Sequence, residues 1–234
     1  KSYITDQPVA DAIRDRVPVT LELAFLATVF AAIIGIPLGA LCAYREGKRV
    51  DKAATAFTTA ALSVPSFLVG IFLIWLFTLK FRWLPSSGWA RISTKGVVAN
   101  LKSAALPALS LAFAPLAINA RLVRADMIGT LKENYVLSAR AKGLRNRYIL
   151  FRHALRPSSL TALTVLGLQL GALIGGTVVI ETLFALPGLG SRLISAIYQR
   201  DVMMIQGITL FVAATYVIVN TLVDLLYLLL DPRI

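Results

Sequence analysis

The feature that most constrains this chain is a set of long apolar runs separated by short charged stretches. The clearest is Ala53 to Leu79, 27 residues without a charge. A helix rises about 1.5 Å per residue, so about 20 apolar residues cross the roughly 30 Å hydrocarbon layer of a bilayer. The chain is 57% hydrophobic and only 15% charged, which is more apolar and less charged than a typical soluble domain. We therefore expect an all-α, polytopic membrane protein.

Five runs are predicted to be membrane-spanning helices. The predicted spans cover residues 19–44, 53–79, 103–120, 158–180 and 202–223. The third is short and contains Pro107 and Pro115, but its flanks make sense only if it returns the chain across the membrane. Pro65 is expected to kink the second span. We expect residues 1–234 to form one transmembrane domain, preceded by a further helix because the number of spans is odd.

Lys and Arg residues in the connections predict the orientation of the spans. Loops 45–52 and 121–156 and the C-terminal tail carry fourteen of them, against ten on the other side. We place these two loops in the cytoplasm. The basic residues of these connections also account for the net charge of +12. The sequence does not favour nucleic-acid binding, because no basic stripe is interleaved with stacking aromatic residues.

The sequence offers few residues for metal binding or covalent chemistry. Cys42 is the only cysteine and lies in an apolar run, so no disulfide or thiolate metal site forms within the chain. His153 is the only histidine and is a poor candidate for a metal ligand. Gly47-Lys48 lacks the flanking residues of a phosphate-binding loop. We predict no catalytic residue, metal or cofactor in this chain.

Residues 134–157 form a long connection whose composition is not that of a loop. Residues 135–142 are good helix formers, Gly143 can supply a bend, and Pro157 suits the start of the next helix. The segment that follows Gly143 mixes apolar and basic residues and is amphipathic. The residues alone leave two interpretations open, a helix on the inner leaflet or a docking helix for a cytoplasmic partner.

The stretch Leu137-Ser-Ala-Arg-Ala-Lys-Gly143 resembles the coupling loop of ABC importer permeases. That motif is Glu-Ala-Ala, with Gly four residues after its last Ala. Here Leu137 replaces Glu and Ser138 replaces the first Ala, but the Ala-Arg-Ala-Lys-Gly-Leu form is similar to that of dipeptide and oligopeptide permeases. Three further segments resemble the same subfamily: residues 84–89, 181–190 and 230–234. The first two of these segments are more similar to the first permease of such operons than to the second.

This resemblance implies a type I ABC importer transmembrane fold. The ATPase-coupling residues it implies are Leu137, Ser138, Ala139, Arg140, Ala141, Lys142, Gly143 and Leu144. Small Ala139 and Ala141 would permit close docking, and Arg140 and Lys142 would pair with acidic residues of the partner.

The implied function is import of peptides across the bacterial inner membrane. The implied partners are a second homologous permease, two cytoplasmic ATPases that bind ATP and Mg²⁺, and an extracytoplasmic substrate-binding protein. Permeases with this resemblance also serve nickel, glutathione and haem-like ligands. A gradient-driven secondary transporter is a further alternative, but it would use intramembrane charges and inverted repeats, and central acidic residues are scarce and the halves dissimilar.

Polar residues inside the predicted spans are candidates for a substrate path or gate, because each costs free energy in hydrocarbon unless it is paired or faces water. The candidates are Asn119, Gln169, Glu181 and Asn220. For Gln169 and Asn220, an interhelical hydrogen bond is the alternative. Glu181 would either close an outer gate or face water among the lipid headgroups.

Three glycines in the predicted fourth span indicate helix packing. Gly167, Gly171 and Gly175 recur every fourth residue and lie on one face, where another helix can approach closely. Asp224 is expected to pair with an arginine such as Arg121 or Arg124. Residues 191–201 are predicted to form a short amphipathic helix outside the membrane, either a lid or an interfacial anchor.

Overall fold

The computed structural model describes residues 1, 2, 4, 6–145 and 148–230, so the ending 231–234 lies outside it. Every regular element in this part of the chain is a helix, as predicted. The α-helices are α1 (Val9–Arg14), α2 (Val17–Tyr44), α3 (Arg49–Ser63), α4 (Ser66–Leu73), α5 (Ile92–Leu131), α6 (Asn134–Ala141), α7 (Arg156–Gly176), α8 (Val178–Leu183), α9 (Leu189–Tyr198) and α10 (Val202–Leu230). Two π-helices, π1 (Ile74–Lys80) and π2 (Ile149–Leu155), continue α4 and precede α7.

Three stretches of helix are long and apolar enough to cross a membrane: α1 with α2, α5, and α10. Two bent pairs raise the number to five, α3 with α4 and π1, and π2 with α7. The predicted spans overlap these five stretches. The protein is therefore a helical, multi-pass chain.

The second predicted span is sharply bent at Pro65. The helix direction changes by 106° between its two halves. The cause is local, because Pro65 has no N–H and disfavours a helical conformation at the residue before it. Val64 accordingly leaves the helix with φ −95° and ψ 122°. The proline was recognised in the sequence, but the size of the bend was not.

Helices α2 and α5 form the centre of the bundle. Gly35 and Gly39 allow this contact, since a Cβ atom at either would lie within 3 Å of a carbonyl oxygen of α5. Apolar side chains including Leu23, Leu106 and Leu116 fill the core beside them. Helices α3 and α4 pack on α5, and α7 connects this core to α10. Most of the apolar surface of residues 202–225 in α10 remains exposed.

At each end of the bundle, a polar contact joins two connections between helices. At the α6 end, Lys132 Nζ lies 3.7 Å from Glu46 Oε1, so the two loops predicted to be cytoplasmic are neighbours. At the α9 end, the Gly88 N–H donates to the Phe184 carbonyl oxygen at 3.0 Å, which joins the residues after π1 to those after α8. Which end faces the cytoplasm stays a prediction from the basic loops.

Candidate functional site

Helix α6 ends in a left-handed turn at Gly143. Its φ of +77° is a conformation that glycine adopts without steric cost. The Gly143 N–H donates to the Arg140 carbonyl at 2.9 Å, and the Leu144 N–H donates to the Ala139 carbonyl at 3.2 Å. These two bonds are those of a Schellman motif, which satisfies the last carbonyls of a helix. The bend predicted from the sequence is thus a defined helix end.

One face of α6 is anchored to the body of the protein. Val136 and Ala139 are buried with Ile149 of π2, and Leu131 at the end of α5 packs against them. This corrects the expectation that Ala139 and Ala141 both lie on a docking face. Ala139 points inward because it is one helical turn from Val136, whereas Ala141 is exposed.

The outward face of this segment is apolar and basic. Exposed large apolar residues occur throughout it: Tyr135, Leu137, Leu144, Tyr148 and Phe151. Ser138, Arg140 and Lys142 are exposed beside them. A membrane surface or another protein would cover such a face favourably.

Tyr135 links α6 to π2. Its hydroxyl donates to the His153 carbonyl oxygen at 3.1 Å. Burial raises the pKa of Tyr135, and the nearby Glu133 carboxylate raises it further, so the phenol keeps the proton that it donates. The Tyr148 ring also meets the His153 ring edge-on, with centroids 5.4 Å apart. His153 is thus a packing residue of this segment.

A partly buried ion pair lies at the same end of the bundle. The Arg124 guanidinium donates to Asp51 through Nε at 2.5 Å and Nη2 at 2.8 Å. The Gly47 N–H donates to the same carboxylate at 2.9 Å. The expected partnership of Arg124 with Asp224 is therefore wrong. Asp224 is exposed and forms no salt bridge with any residue that the structure describes.

At the α9 end, the Glu181 carboxylate is fully buried and accepts three hydrogen bonds. Oε1 accepts from the Thr20 hydroxyl at 2.7 Å and from the Thr177 hydroxyl at 2.8 Å. Oε2 accepts from the Ser191 N–H at 3.0 Å. Glu181 therefore does not face headgroup water. It joins the start of α2, the junction of α7 and α8, and the start of α9.

The loop between α8 and α9 is fitted closely around this carboxylate. A Cβ atom on Gly188 would lie 2.3 Å from the carboxyl carbon of Glu181, and one on Gly190 would lie 2.5 Å from the Val178 Cα. The Leu189 N–H donates to the Thr20 hydroxyl oxygen at 2.9 Å. Thr20 and Thr177 were not predicted as site residues from the sequence. The only sequence signal for them was a hydroxyl side chain near the end of an apolar run.

The candidate path residues Asn119 and Gln169 meet between α5 and α7. The Asn119 amide donates to the Gln169 side-chain oxygen at 2.8 Å and to the Pro115 carbonyl at 2.8 Å. Asn119 is fully buried. Asn220 lies apart from this pair, on α10 and beside Gly171. The structure therefore does not bring the four candidates together, because Glu181 lies in the network with Thr20.

The glycine face of α7 lies against α10. A Cβ on Gly167 would lie 2.5 Å from the Val223 Cγ2, and one on Gly171 would lie 2.9 Å from the Asn220 Oδ1. Gly175 has more room, with 3.7 Å to Val212 Cγ1. Residues of α7, α9 and α10, including Gly171 and Gly175, also line an apolar cavity of about 460 Å³.

Gly167→Ala is expected to destabilise the contact of α7 with α10, because its methyl would overlap a stiff β-branched valine. Overpacking of this kind costs about 1–3 kcal/mol. Gly175→Ala is the matched control, since its methyl meets only ordinary van der Waals contact. Thermal unfolding of both variants in the same detergent measures the difference. Equal midpoints would show that α7 and α10 do not pack closely in the membrane protein.

Comparison with known proteins identifies the family of this chain. Residues 35–234 match the model of the family described as binding-protein-dependent transport system inner membrane component. The chain belongs to this family. It is also 36% identical to an oligopeptide transport system permease protein of Bacillus subtilis, over 97% of this chain and 72% of that protein. It is 39% identical to a nickel import system permease protein of Staphylococcus aureus, over 100% of this chain and 67% of that protein.

The fold has a solved counterpart. A chain in inward-facing structures of the MetNI methionine ABC transporter aligns with a TM-score of 0.79 at 15% identity, covering 97% of this chain and 100% of the other. The type I ABC importer fold inferred from the coupling-loop resemblance is confirmed. The predicted family of ABC importer permeases is also confirmed, so the protein is a transport subunit.

Proposed function

We propose that this chain is the permease subunit of an ATP-driven importer of peptides. The observation that carries the proposal is α6, a short helix with an anchored inner face, an exposed apolar and basic outer face, and a fixed turn at Gly143. Such a helix fits a groove on a cytoplasmic ATPase. The chain would then contribute no ATPase site, and ATP and Mg²⁺ would bind to the partner subunits.

The anchoring of α6 suggests how it would transmit motion. Val136 and Ala139 pack on Ile149 and on Leu131, which is the last residue of α5. Helix α5 is the partner of α2 in the core and reaches the α9 end of the bundle. A displacement of α6 by a closing ATPase would therefore move a packed unit, and packed units switch between discrete states rather than deform.

We infer a complex in the bacterial inner membrane with four partner subunits of three kinds. Two ATPases would dock at the α6 end, and a substrate-binding protein would dock at the α9 end. A second, homologous permease would complete the path, with α10 as one of the faces available to it. Residues 137–144 would form the ATPase-coupling element, and Glu181 would hold the outer gate rather than contact substrate. Asn119, Gln169 and Asn220 would pack helices beside the path.

Peptides are the proposed substrate class because of the relation to the Bacillus subtilis permease. Nickel is the second candidate, since the Staphylococcus aureus nickel permease is about as similar. Selectivity in such systems would reside largely in the binding protein. The substrate therefore has to be tested with the complete set of subunits.

Uptake into proteoliposomes tests the proposal. The chain would be reconstituted with the permease, ATPase and binding-protein subunits encoded beside its gene, with ATP enclosed. We expect accumulation of a radiolabelled tripeptide that requires both ATP and the binding protein. Accumulation of radioactive nickel without competition from peptide would instead establish the second candidate. Uptake that needs an ion gradient and no ATP would contradict both.

A further inference from the structure

An aromatic and basic surface at the end of π1 has no role in the function proposed above. We propose that this surface, formed by Trp75, Lys80, Phe81, Arg82 and Trp83 and named the aromatic cap, binds the phosphate of an anionic phospholipid. The site needs neither ATP nor a transported substrate. It lies where the chain leaves the bundle toward residues 84–91.

Aromatic rings hold the Lys80 ammonium in place. Its Nζ lies 5.7 Å from the centroid of the Trp75 ring and 6.0 Å from that of Phe81. These distances are within the range of cation–π attraction. Within the described residues, no carboxylate forms a salt bridge with Lys80. Its charge is thus positioned by neutral groups and is available to an anion.

The backbone fixes the other members of the cap. The Trp83 N–H donates to the Phe77 carbonyl at 2.9 Å, which folds the chain back over the end of π1. This fold requires a φ of +56° at Arg82, an unfavourable conformation for a residue with a side chain. It also stacks the Trp83 ring on Phe81, with centroids 4.9 Å apart and planes inclined by 22°. Ring stacking offsets part of the backbone cost.

The segment of the chain that carries the cap contains basic but no acidic residues. No Asp or Glu occurs between Asp51 and Asp126, whereas residues 80–102 contain five Lys and Arg residues. Lys80 and Arg82 both lie in the cap and both are exposed. Two cations two positions apart in the chain can supply charge for a phosphate group, and lysine and arginine near a membrane surface attract anionic lipid.

The surface below the cap distinguishes a lipid from a protein ligand. Exposed apolar residues continue from the cap along one face of π1 and α4: Trp75, Phe72, Ile71 and Leu68. A phosphate bound at Lys80 would place acyl chains along this face. Trp83, which is 66% exposed, would lie at the polar boundary, where tryptophan is favoured. A cationic head above an apolar strip therefore matches one phospholipid molecule.

Quenching of tryptophan fluorescence by brominated lipid tests this inference. Trp75→Phe with Trp89→Phe leaves Trp83 as the only tryptophan and keeps a ring under Lys80. The purified chain would be reconstituted in phosphatidylcholine vesicles that contain a small fraction of brominated phosphatidylglycerol or brominated phosphatidylcholine. We expect the brominated phosphatidylglycerol to quench Trp83 at a lower fraction than the brominated phosphatidylcholine.

Removal of each cation should weaken this preference about fivefold, which is the effect of one lysine or arginine near a charged membrane. Lys80→Gln and Arg82→Gln are the test variants. Lys95→Gln is the matched control, because Lys95 is an exposed cation of the same basic segment outside the cap. Equal quenching by the two lipids, or an equal loss in Lys95→Gln, would overturn the proposal. Absence of quenching by either lipid would also overturn it, because Trp83 would then not lie in contact with lipid.

Discussion

Glu181→Ala should be the most destabilising single substitution at the α9 end of this protein. The change leaves the Thr20 and Thr177 hydroxyls and the Ser191 N–H without their acceptor in a buried site. Each buried unpaired polar group costs about 1–3 kcal/mol, and the lost side chain also leaves a cavity. We therefore expect a loss of about 3 kcal/mol or more in the free energy of unfolding.

Thermal unfolding in detergent and labelling of a cysteine at Ser191 measure this effect. The start of α9 should become accessible in Glu181→Ala, since its N–H loses the carboxylate that holds it. Thr182→Val is the matched control, because Thr182 is the next residue but is exposed and bonds only to its own helix. Unchanged unfolding in Glu181→Ala would mean that other contacts hold the loop.

Gly188→Ala should disturb the same network through the loop that packs against the Glu181 carboxylate. Its methyl would overlap the Glu181 carboxyl group, so either the loop or the carboxylate must move. The two substitutions act on one contact and should not be additive. A double variant no worse than the poorer single variant would identify this contact as the common cause.

Gly143→Val and Ala141→Trp should impair both substrate-stimulated ATP hydrolysis and uptake. Valine cannot readily adopt a φ of +77°, so the turn that ends α6 is lost. Tryptophan at the exposed position 141 adds bulk to the face proposed to dock on the ATPase. We expect both variants to insert normally. Their substrate-stimulated ATP hydrolysis and uptake should fall by about tenfold, within the range of usual coupling free energies.

Two control variants separate docking from folding. Lys142→Ala removes an exposed charge and should retain most activity, since exposed ion pairs contribute little. Ala139→Trp should instead disrupt the packing of α6 on Ile149, and its defect should appear as reduced stability. Rates of ATP hydrolysis and uptake, measured in complexes with the ATPases and binding protein, distinguish a docking defect from a folding defect. Normal transport by Gly143→Val and Ala141→Trp would favour a helix that only lies on the membrane surface.

Local features of the fold could be predicted from the sequence because they depend on neighbouring residues. An apolar run of sufficient length specifies a helix in lipid, since the backbone must satisfy its own hydrogen bonds there. Gly143 and Pro65 marked a turn and a break for equally local reasons, which are the conformations open to glycine and the missing N–H of proline. The spacing of the glycines in α7 likewise predicted a face suited to close packing.

Partnerships between distant residues were decided only by the tertiary structure. Glu181 was visible as a polar residue at the end of a span, but Thr20 lies 161 positions away and nothing local selects it. Arg124 pairs with Asp51 rather than Asp224 because α3 packs on α5. Ala139 and Ala141 are equally small in the sequence. The packing of α6 on π2 buries one and exposes the other, since a helix turns about 100° per residue and one face must meet the core.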